Sequence, residues 1–423
     1  MFWQDGLSPR GRAIVPAVFA ILFLTGVIGC SGGGDGGSSS VPVHYFVGKT
    51  YGGAGQDIGV SVTQTNDGGY LAIGFTNSGT AGDYDVLLVR TDSGGKSIRK
   101  IQFGGPGDDY GLSVVQTSDS GFALTGVYNC SVVTCNYFWP SWPIGYPQDV
   151  VGRLFLRKLD ANLDFQWETL VDQATYGNSD YLYAMGYSVA QTADGGYIVG
   201  GATAYNPGGA TGLLVKTDNS GNIQWATPVG GKGVSGVRQT PEGGYVISIA
   251  GAGGATGDVI AKIDVGGKVT WQTVLHGSSQ AVWNTGAGDY VVTGVNPLPM
   301  ESGNLYLGKI SGAGAIIWEK AFGGTGGDEG LSVQEASDHG YIATGWGGKL
   351  YDNTAGNVYL VKTDGNGALQ WEKSYGGMKS DAGRAVRQTA DGGYIVTGFT
   401  DSAGAGGYDL FLLKIDASGN SQW

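Results

Sequence analysis

The sequence has 423 residues, 81 of which are glycine, and a formal net charge of −12 at pH 7. Glycine at this frequency indicates disorder in a chain without a period, but here the glycines recur at fixed positions that are typical of turns. The acidic balance argues against nucleic acid or an anionic membrane surface as a binding partner.

Residues 1–29 have the features of an export signal. Two arginines precede an apolar run over residues 13–29, which is too short and too poorly flanked to predict a membrane span. The run ends in Val-Ile-Gly-Cys at residues 27–30, which resembles the lipobox of bacterial lipoproteins. That resemblance implies cleavage before Cys30, which then carries the lipid. The alternative is an ordinary signal or signal anchor with an incidental cysteine.

Residues 30–42 predict a lipidated cysteine followed by a flexible tether, because Ser31 to Ser40 are nearly all glycine and serine. Acyl chains on Cys30 anchor a protein through their buried methylenes. By resemblance to lipoprotein sorting, serine directly after the lipidated cysteine favours the outer membrane. We therefore predict a lipid-anchored protein of the bacterial cell envelope, placed at the outer membrane.

A single unit repeats along residues 43–423. Each unit has an aromatic residue after a hairpin turn and, in most copies, a tryptophan at its end, with about 54 residues between successive aromatics. The aromatics are Tyr70, Phe122, Tyr197, Tyr245, Tyr290, Tyr341 and Tyr394, and the tryptophans are Trp167, Trp225, Trp271, Trp318, Trp371 and Trp423. A period of this size with internal turns is typical of propeller blades rather than helical solenoids.

The last unit predicts four strands separated by turns. Strand one, Gly383–Thr389, has the small and polar side chains expected next to a central axis, and strand two, Tyr394–Thr400, follows a glycine-rich hairpin turn. Strand three, Leu410–Ile415, is apolar on both faces. We predict an all-β, seven-bladed β-propeller with four-stranded antiparallel blades. Six or eight blades remain possible if the degenerate fifth unit or a terminal half unit is miscounted.

Two further patterns refine this fold. Val43 to Thr50 lies where strand four stands in other units, so we expect the two ends of the repeat region to meet in one blade and close the ring. A glycine four residues after the aromatic indicates a close backbone approach or a bulge in strand two. These glycines are Gly74, Gly126, Gly201, Gly294, Gly345 and Gly398, and Ile249 replaces the glycine in the fourth unit.

The turn before strand four carries a family resemblance. Its Asp-x-x-Gly-x-x-x-Trp spacing at Asp218, Asp264, Asp364 and Asp416 is similar to the repeats of quinoprotein-type propellers. The Asp-Gly-Gly-Tyr hairpin resembles that of tandem-repeat propeller proteins on bacterial and archaeal cell surfaces. The resemblance implies that the tryptophans dock between blades and implies no particular activity. The adjacent cysteines and metal-binding side chains of the quinone enzymes are not found in the sequence.

Two insertions fall on the face that carries the connections between strands two and three and between blades. They span residues 129–151 and 172–186, and we expect them to form one aromatic wall that binds a sugar, a peptide or a partner protein. The candidate binding residues are Tyr137, Phe138, Trp139, Trp142, Tyr146, Tyr176, Tyr181 and Tyr183. The alternative is a self-packed flap over the tunnel mouth or a blade flank.

The cysteines Cys130 and Cys135 of the first insertion predict a disulfide that shapes it, because the protein is expected to be exported. Free or metal-bound thiols are the alternative.

Four aspartates stand at equivalent positions before strand one and predict either a ring that holds a cation such as Ca²⁺ or a set of turn caps. They are Asp57, Asp109, Asp328 and Asp381. Carboxylates that could support glycoside chemistry lie near the expected wall, namely Asp108, Asp109, Asp172 and Asp180.

The sequence therefore predicts a monomeric binding or scaffold module without a cofactor, which recognises surface polysaccharide or a partner protein. The alternative is an envelope glycan hydrolase or lyase that uses carboxylates on the variable face. A quinone-dependent oxidoreductase is disfavoured, and whether the protein is an enzyme stays open.

Overall fold

Seven β-sheets surround a central axis in the computed structural model of this chain. The described residues are 43–79, 84–130, 152–172, 181–205, 209–252, 257–296, 303–324, 326–348 and 356–423, with the backbone alone at residues 181, 182, 204 and 205. All the regular elements in these ranges are strands, and they contain no helix long and apolar enough to cross a membrane. The fold is therefore all-β, as predicted.

Blades 1 to 4 follow one another along the chain, and strand one of each blade is the innermost. Blade 1 has β3 (Asp57–Gln64), β4 (Tyr70–Thr76), β5 (Asp85–Thr91) and β6 (Ser97–Phe103); blade 2 has β7 (Asp108–Gln116), β8 (Phe122–Cys130), β9 (Arg153–Leu159) and β10 (Phe165–Val171); blade 3 has β11 (Tyr181–Gln191), β12 (Tyr197–Tyr205), β13 (Gly209–Thr217) and β14 (Ile223–Gly230); blade 4 has β15 (Gly233–Gln239), β16 (Tyr245–Ala250), β17 (Val259–Ile263) and β18 (Val269–Val274).

Blades 5 to 7 complete the ring and take in the two shortest strands, which come from the start of the propeller. Blade 5 has β19 (Ala281–Asn284), β20 (Tyr290–Asn296), β21 (Asn304–Ile310) and β22 (Ile316–Phe322); blade 6 has β23 (Asp328–Glu335), β24 (Tyr341–Gly347), β25 (Asn357–Thr363) and β26 (Leu369–Gly376), with β1 (Val43–Tyr45) at its edge; blade 7 has β27 (Asp381–Gln388), β28 (Tyr394–Thr400), β29 (Asp409–Ile415) and β2 (Lys49–Thr50). The predicted count of seven blades is confirmed.

The ring closes in blade 7, where both ends of the repeat region pair with β29. Lys49 and Thr50 pair antiparallel with Leu412 and Phe411, and the last residue, Trp423, accepts a hydrogen bond from the backbone N–H of Lys414. The expected closure is confirmed for this part of the strand, and β2 together with the terminal residues covers the outer side of β29.

The segment before β2 differs from the prediction, which extended strand four back to Val43. Val43–Tyr45 instead pairs parallel with β26 and adds a fifth strand to blade 6. The chain turns between the two blades at Phe46, whose ring packs edge-on against Phe411 at 5.0 Å, and at Gly48, where a Cβ would lie 2.9 Å from the Leu412 carbonyl oxygen. A side chain at Gly48 would therefore block the crossing.

The glycine of strand two allows a close backbone approach, as predicted, but the bulge lies in strand one. A Cβ on Gly74 would overlap the carbonyl oxygen of Ile58, and the pairing register shifts between Gly59 and Ser61. The same overlap is found at the other five glycines, and the same shift recurs in blades 2, 3, 4, 6 and 7. Each bulge leaves one strand-one residue, such as Val60, opposite no partner.

Aromatic contacts join neighbouring blades. The strand-four tryptophan of one blade packs against the strand-two aromatic of the next, as Trp167 does against Tyr197 with 5.6 Å between ring centroids. The equivalent pairs are Trp225–Tyr245, Trp271–Tyr290, Trp318–Tyr341, Trp371–Tyr394 and Trp423–Tyr70. The tryptophan docking that the family resemblance implied is confirmed.

A ring of seven ion pairs also stabilises the blades. In each blade a basic side chain near the end of strand three contacts a carboxylate in or beside the turn between strands one and two. The pairs are Arg90–Asp67, Lys158–Asp119, Lys216–Asp194, Lys262–Glu242, Lys309–Asp289, Lys362–Asp338 and Lys414–Asp391, at 2.7 to 3.5 Å. The aspartate of the Asp-Gly-Gly hairpin is therefore an ion-pair partner as well as a turn residue.

Candidate functional site

The two faces of the propeller differ in how regular their connections are. On the uniform face, which we define by the turns between strands one and two, the same backbone hydrogen bonds close each turn, as between Thr65 and Gly69. On the opposite, variable face, the connection between strands two and three ranges from residues 206–208 in blade 3 to residues 131–152 in blade 2. Blades 2 and 3 are adjacent, as expected.

Most of the predicted aromatic wall lies outside the described residues. This applies to the candidates Tyr137, Phe138, Trp139, Trp142, Tyr146 and Tyr176, and to Cys135. Cys130 ends β8 and its side chain is fully buried, and Tyr181 begins β11 opposite Tyr205. The disulfide and the wall therefore stay predictions.

Tyr183 is the wall candidate whose side chain is described, and it is 5% exposed. It belongs to a core cluster with Phe75 and Tyr110, and its carbonyl accepts a 2.7 Å hydrogen bond from the Thr203 hydroxyl. Burial raises the pKa of the Tyr183 hydroxyl. Its ring thus packs in the interior in this structure, because β11 begins earlier than the insertion boundary suggested.

The four equivalent aspartates cap the turns that enter strand one. Asp57, Asp328 and Asp381 each accept a hydrogen bond of 2.8–2.9 Å from the backbone N–H four residues earlier. Asp109 accepts the same bond from Gly105 and a second one of 2.8 Å from Asn129. Their carboxylates are thus engaged within their own blades.

Burial sets the acidity of these caps. It raises the pKa of Asp109 and Asp381, and it raises the pKa of Asp328 to about 6. Within the described ranges no three His, Cys, Asp or Glu side chains are grouped so that they could hold a metal ion. The hydrogen bonds of the four aspartates therefore fit their interpretation as turn caps.

The carboxylates considered for glycan chemistry are also used within the fold where they are described. Asp108 is 7% exposed, accepts a 3.0 Å hydrogen bond from the backbone N–H of Tyr84 and contacts the Tyr110 hydroxyl at 3.2 Å. Asp172 lies just after β10, and Asp180 lies outside the described residues. Asp108 and Asp109 are therefore positioned as structural groups.

A cavity lined by described residues of strand one lies on the propeller axis. Its volume is about 160 Å³. All seven blades contribute strand-one residues at one level, including the residues that the bulges leave unpaired. That level consists of Val60, Leu112, Tyr187, Ser235, Gln280, Leu331 and Arg384. In six blades the bulge directs one side chain toward the axis, and in blade 5 the equivalent residue is Gln280, just before β19.

Arg238 and Arg387 line the same cavity from blades 4 and 7, three positions further along strand one toward the uniform face. We call them the arginine pair. Their guanidinium carbons lie 4.9 and 5.3 Å from the centre of the Trp283 ring in blade 5, within the range of cation–π contact. The tunnel is thus asymmetric, with its charge concentrated on one side.

The hydrogen bonds of the arginine pair follow one pattern. Each Nη1 donates to the preceding backbone carbonyl, at 2.8 Å for Arg238 and 2.7 Å for Arg387. Each Nη1 also reaches a serine hydroxyl of the neighbouring blade, Ser188 or Ser332, at 3.5 and 3.2 Å. These contacts hold the guanidinium groups in place from one side.

Burial lowers the pKa of Arg238 to about 10, and burial together with repulsion from Arg238 lowers the pKa of Arg387 to about 9. Both groups remain cationic at neutral pH. The repeat pattern did not predict these arginines, because strand one is expected to carry small and polar side chains next to the axis. The available signal was an arginine three residues beyond the bulge position in two units.

A third arginine, Arg384, belongs to the bulge level of the cavity, next to the buried carboxyl of Glu329. Burial raises the pKa of Glu329 to about 8, against the opposing effects of Trp346, Arg384 and Gln280. Trp346 and Gln280 donate to its two oxygens at 3.0 and 3.3 Å. Arg384 is therefore partnered within the wall, in contrast to the arginine pair.

Solved structures with the same architecture include the WD40 β-propeller domain of Doa1, with 12% sequence identity and a TM-score of 0.53 over 88% of this chain and 97% of that one. The Dos1 propeller is 10% identical, with a TM-score of 0.50 over 88% and 95%. BamB from Moraxella catarrhalis is 10% identical, with a TM-score of 0.40 over 84% and 85%. The chain shares the propeller fold.

At these identities the similarity shows the fold alone. No protein-family model and no curated protein matches the sequence.

Proposed function

We propose that this chain is a lipid-anchored β-propeller of the bacterial cell envelope that serves as a binding or scaffold module for a partner protein or surface polysaccharide. The supporting observation is the contrast between the two faces. Turns on the uniform face repeat the same hydrogen bonds, whereas the strand two to three connections vary from residues 206–208 to residues 131–152. A rigid ring that holds loops of unequal length is a scaffold for recognition.

Binding is favoured over catalysis by how the described carboxylates are used. Asp57, Asp109, Asp328 and Asp381 accept backbone hydrogen bonds, and Asp108 is engaged by Tyr84 and Tyr110. Acid–base chemistry needs a carboxylate within reach of substrate, and these five are 0–7% exposed. The sequence of residues 129–151 is rich in aromatic residues, which suit contact with sugar rings and protein side chains.

The anchoring half of the proposal rests on Cys30 and the apolar run before it. Its test is the membrane fraction of cells that produce either the wild-type chain or the Cys30→Ala variant, with metabolic labelling by a fatty acid. We expect the wild-type chain to be labelled and to sediment with outer membranes, and the variant to lose the label and become soluble. Equal sedimentation and labelling of both chains would contradict the anchor.

The binding half is tested with the Trp139→Ala, Trp142→Ala double variant. Wild-type and variant chains are applied to arrays of envelope polysaccharides and of purified outer-membrane proteins, so that the two ligand classes are scored separately. Tyr45→Ala is the matched control, because Tyr45 is an aromatic residue that is 89% exposed at the edge of blade 6. We expect the double variant to lose at least tenfold in affinity and the control to bind normally. Equal binding by all three chains would show that the predicted aromatic wall is not the binding site.

A further inference from the structure

The axial cavity is electropositive within an acidic protein. Of its lining residues, three are arginines and none is aspartate, glutamate or lysine, whereas the whole chain has a net charge of −12. Arg238, Arg384 and Arg387 are each partly exposed, so solvent and small ions reach them. Arg384 lies next to Glu329, so the charge that attracts counter-ions from solution is that of the arginine pair.

The arginine pair lacks an internal anion. Neither Arg238 nor Arg387 forms an ion pair with a described residue, whereas the seven basic residues of the ion-pair ring each do so within their own blade. In both arginines Nη1 donates to neutral oxygens, a serine hydroxyl and a backbone carbonyl. Nε and Nη2 donate no hydrogen bond to any residue that the structure describes. Guanidinium donors suit carboxylate, phosphate and sulfate oxygens.

Both guanidinium groups lie against one indole. Their distances from the Trp283 centroid place the two Cζ atoms no more than about 10 Å apart, close enough for the like charges to repel across the cavity. Bringing two cations together without a carboxylate is costly unless a bound anion compensates for it. A ligand with at least two negative charges would neutralise both guanidinium groups of the arginine pair.

We propose that Arg238, Arg387 and Trp283 form a binding site for a small multivalent oxyanion on the propeller axis. The ligand class is a free phosphate or sulfate, or a compact molecule with two or more carboxylates. Trp283 contacts both guanidinium groups, and Ser188 and Ser332 each accept a hydrogen bond from one Nη1, so the remaining donors are pre-organised. The site is independent of ligand binding on the variable face.

The test is calorimetric titration of the full-length chain in detergent, in a low-salt buffer, with inorganic phosphate, sulfate and citrate in separate arms. Acetate and glucose are the monovalent and neutral controls. We expect saturable binding of one or more of the multivalent anions, with acetate at least tenfold weaker and glucose not bound. The arm that binds most tightly distinguishes a phosphate or sulfate group from a polycarboxylate. Equal binding of acetate and all multivalent anions, or no binding, would overturn the proposal.

Substitutions of the two arginines test whether the anion binds at the arginine pair. Arg238→Gln and Arg387→Gln are each expected to weaken binding at least tenfold, and Arg387→Lys should lie between Arg387→Gln and the wild type. Arg99→Gln is the matched control, because Arg99 is an exposed arginine paired with Asp164 at 2.9 Å on the propeller's outer side. An equal loss in Arg99→Gln would mean that the anion binds by general charge, and the proposal would fail.

A second measurement does not depend on how the variants fold. Crystals of the wild-type chain soaked in selenate should show one anomalous peak on the axis, within hydrogen-bond distance of Arg238 and Arg387. Anomalous density at surface basic residues alone, or none on the axis, would overturn the site.

Discussion

Arg99 and Leu163 occupy, in blades 1 and 2, the two positions that tryptophan and glycine occupy at the other six blade junctions. Elsewhere the strand-four tryptophan lies over the glycine of the turn before the next blade's strand four, as Trp167 does over Gly221. Arg99 instead donates to the Asn162 carbonyl and pairs with Asp164, on either side of Leu163. Leu163 keeps the left-handed backbone of the glycine, at φ 68°, and is 2% exposed.

We therefore expect the effects of Arg99 and Leu163 on the free energy of unfolding to be coupled. Arg99→Trp alone should force an indole against Leu163 and lower the free energy of unfolding by about 1–3 kcal/mol. Leu163→Gly alone should cost about 2–4 kcal/mol through the cavity, partly offset by relief of the positive φ. The double variant restores the arrangement of the other junctions, so we expect a favourable coupling of about 1–3 kcal/mol. Denaturant unfolding of all four chains measures it, and additive effects would refute the compensation.

The six regular junctions predict that Gly221 tolerates no side chain. A Cβ there would lie 2.5 Å from Cζ3 of Trp167, and its φ is 84°. Gly392 is the control, because its φ of 80° is similar and no atom lies within 4 Å of its Cβ position. We expect Gly392→Ala to cost about 1 kcal/mol and Gly221→Ala about 1–3 kcal/mol more in urea unfolding. Equal costs would show that only backbone strain matters at this turn.

The ion-pair ring predicts a specific loss of stability in acid. Desolvation opposes the shift, but hydrogen bonds from Thr192 and Lys216 lower the pKa of Asp194 from 3.8 to about 2. Because the folded state binds this proton more weakly than the unfolded state, the pair's stabilisation is complete above pH 4 and is lost as the pH falls toward 2. Asp194→Asn should be less stable at neutral pH and should show a shallower loss between pH 4 and 2. A parallel pH profile would contradict this.

Removing the carboxylate should cost more than removing the cation of the same pair. Lys216 is 4% exposed and faces only neutral acceptors, such as the Thr217 carbonyl, once the carboxylate of Asp194 is removed, whereas Asp194 is 52% exposed and regains water without Lys216. We therefore expect Asp194→Asn to lower the melting temperature more than Lys216→Met does. The reverse order would mean that the stem of Lys216, rather than its charge, carries the contact.

The turn-cap geometry predicts that divalent metal ions do not stabilise the propeller. The carboxylates of Asp57, Asp328 and Asp381 already accept hydrogen bonds from backbone N–H groups, and a cation would have to displace them. We expect the same melting temperature in EDTA and in excess Ca²⁺. A rise with Ca²⁺ that Asp381→Asn abolishes would re-establish the aspartate ring as a cation site.

The repeat made the blade architecture predictable because its signals are local. Strand two of the last blade is Tyr394–Thr400 as predicted, since the hairpin glycines fix its start. Strand one begins at Asp381 rather than at the predicted Gly383, because the carboxylate of Asp381 ties the first residue to the turn before it. Strand three begins one residue earlier than predicted, at Asp409.

The features that sequence reasoning missed depend on contacts between distant positions. Lys216 meets Asp194 across a hairpin, and no single turn motif contains both residues. Arg238 and Arg387 reach the axis because a bulge in strand one shifts the pairing register, whereas the glycine pattern indicated a close backbone approach or a bulge in strand two. The bulge interrupts the alternation of side chains between the two faces of strand one. Regular alternation along the sequence therefore could not identify the residues that line the cavity.

The pairing of β2 with β29 has a consequence for the order in which the chain folds. Lys49 and Thr50 are among the first propeller residues to be synthesised, yet their partners Leu412 and Phe411 are among the last. Blades 1 to 6 can form their hairpins during synthesis, but the outer strand of blade 7 must wait for almost the whole chain. Ring closure is thus the contact of greatest sequence separation and sets a late, slow step, during which β2 and the edge of β29 stay open to mispairing.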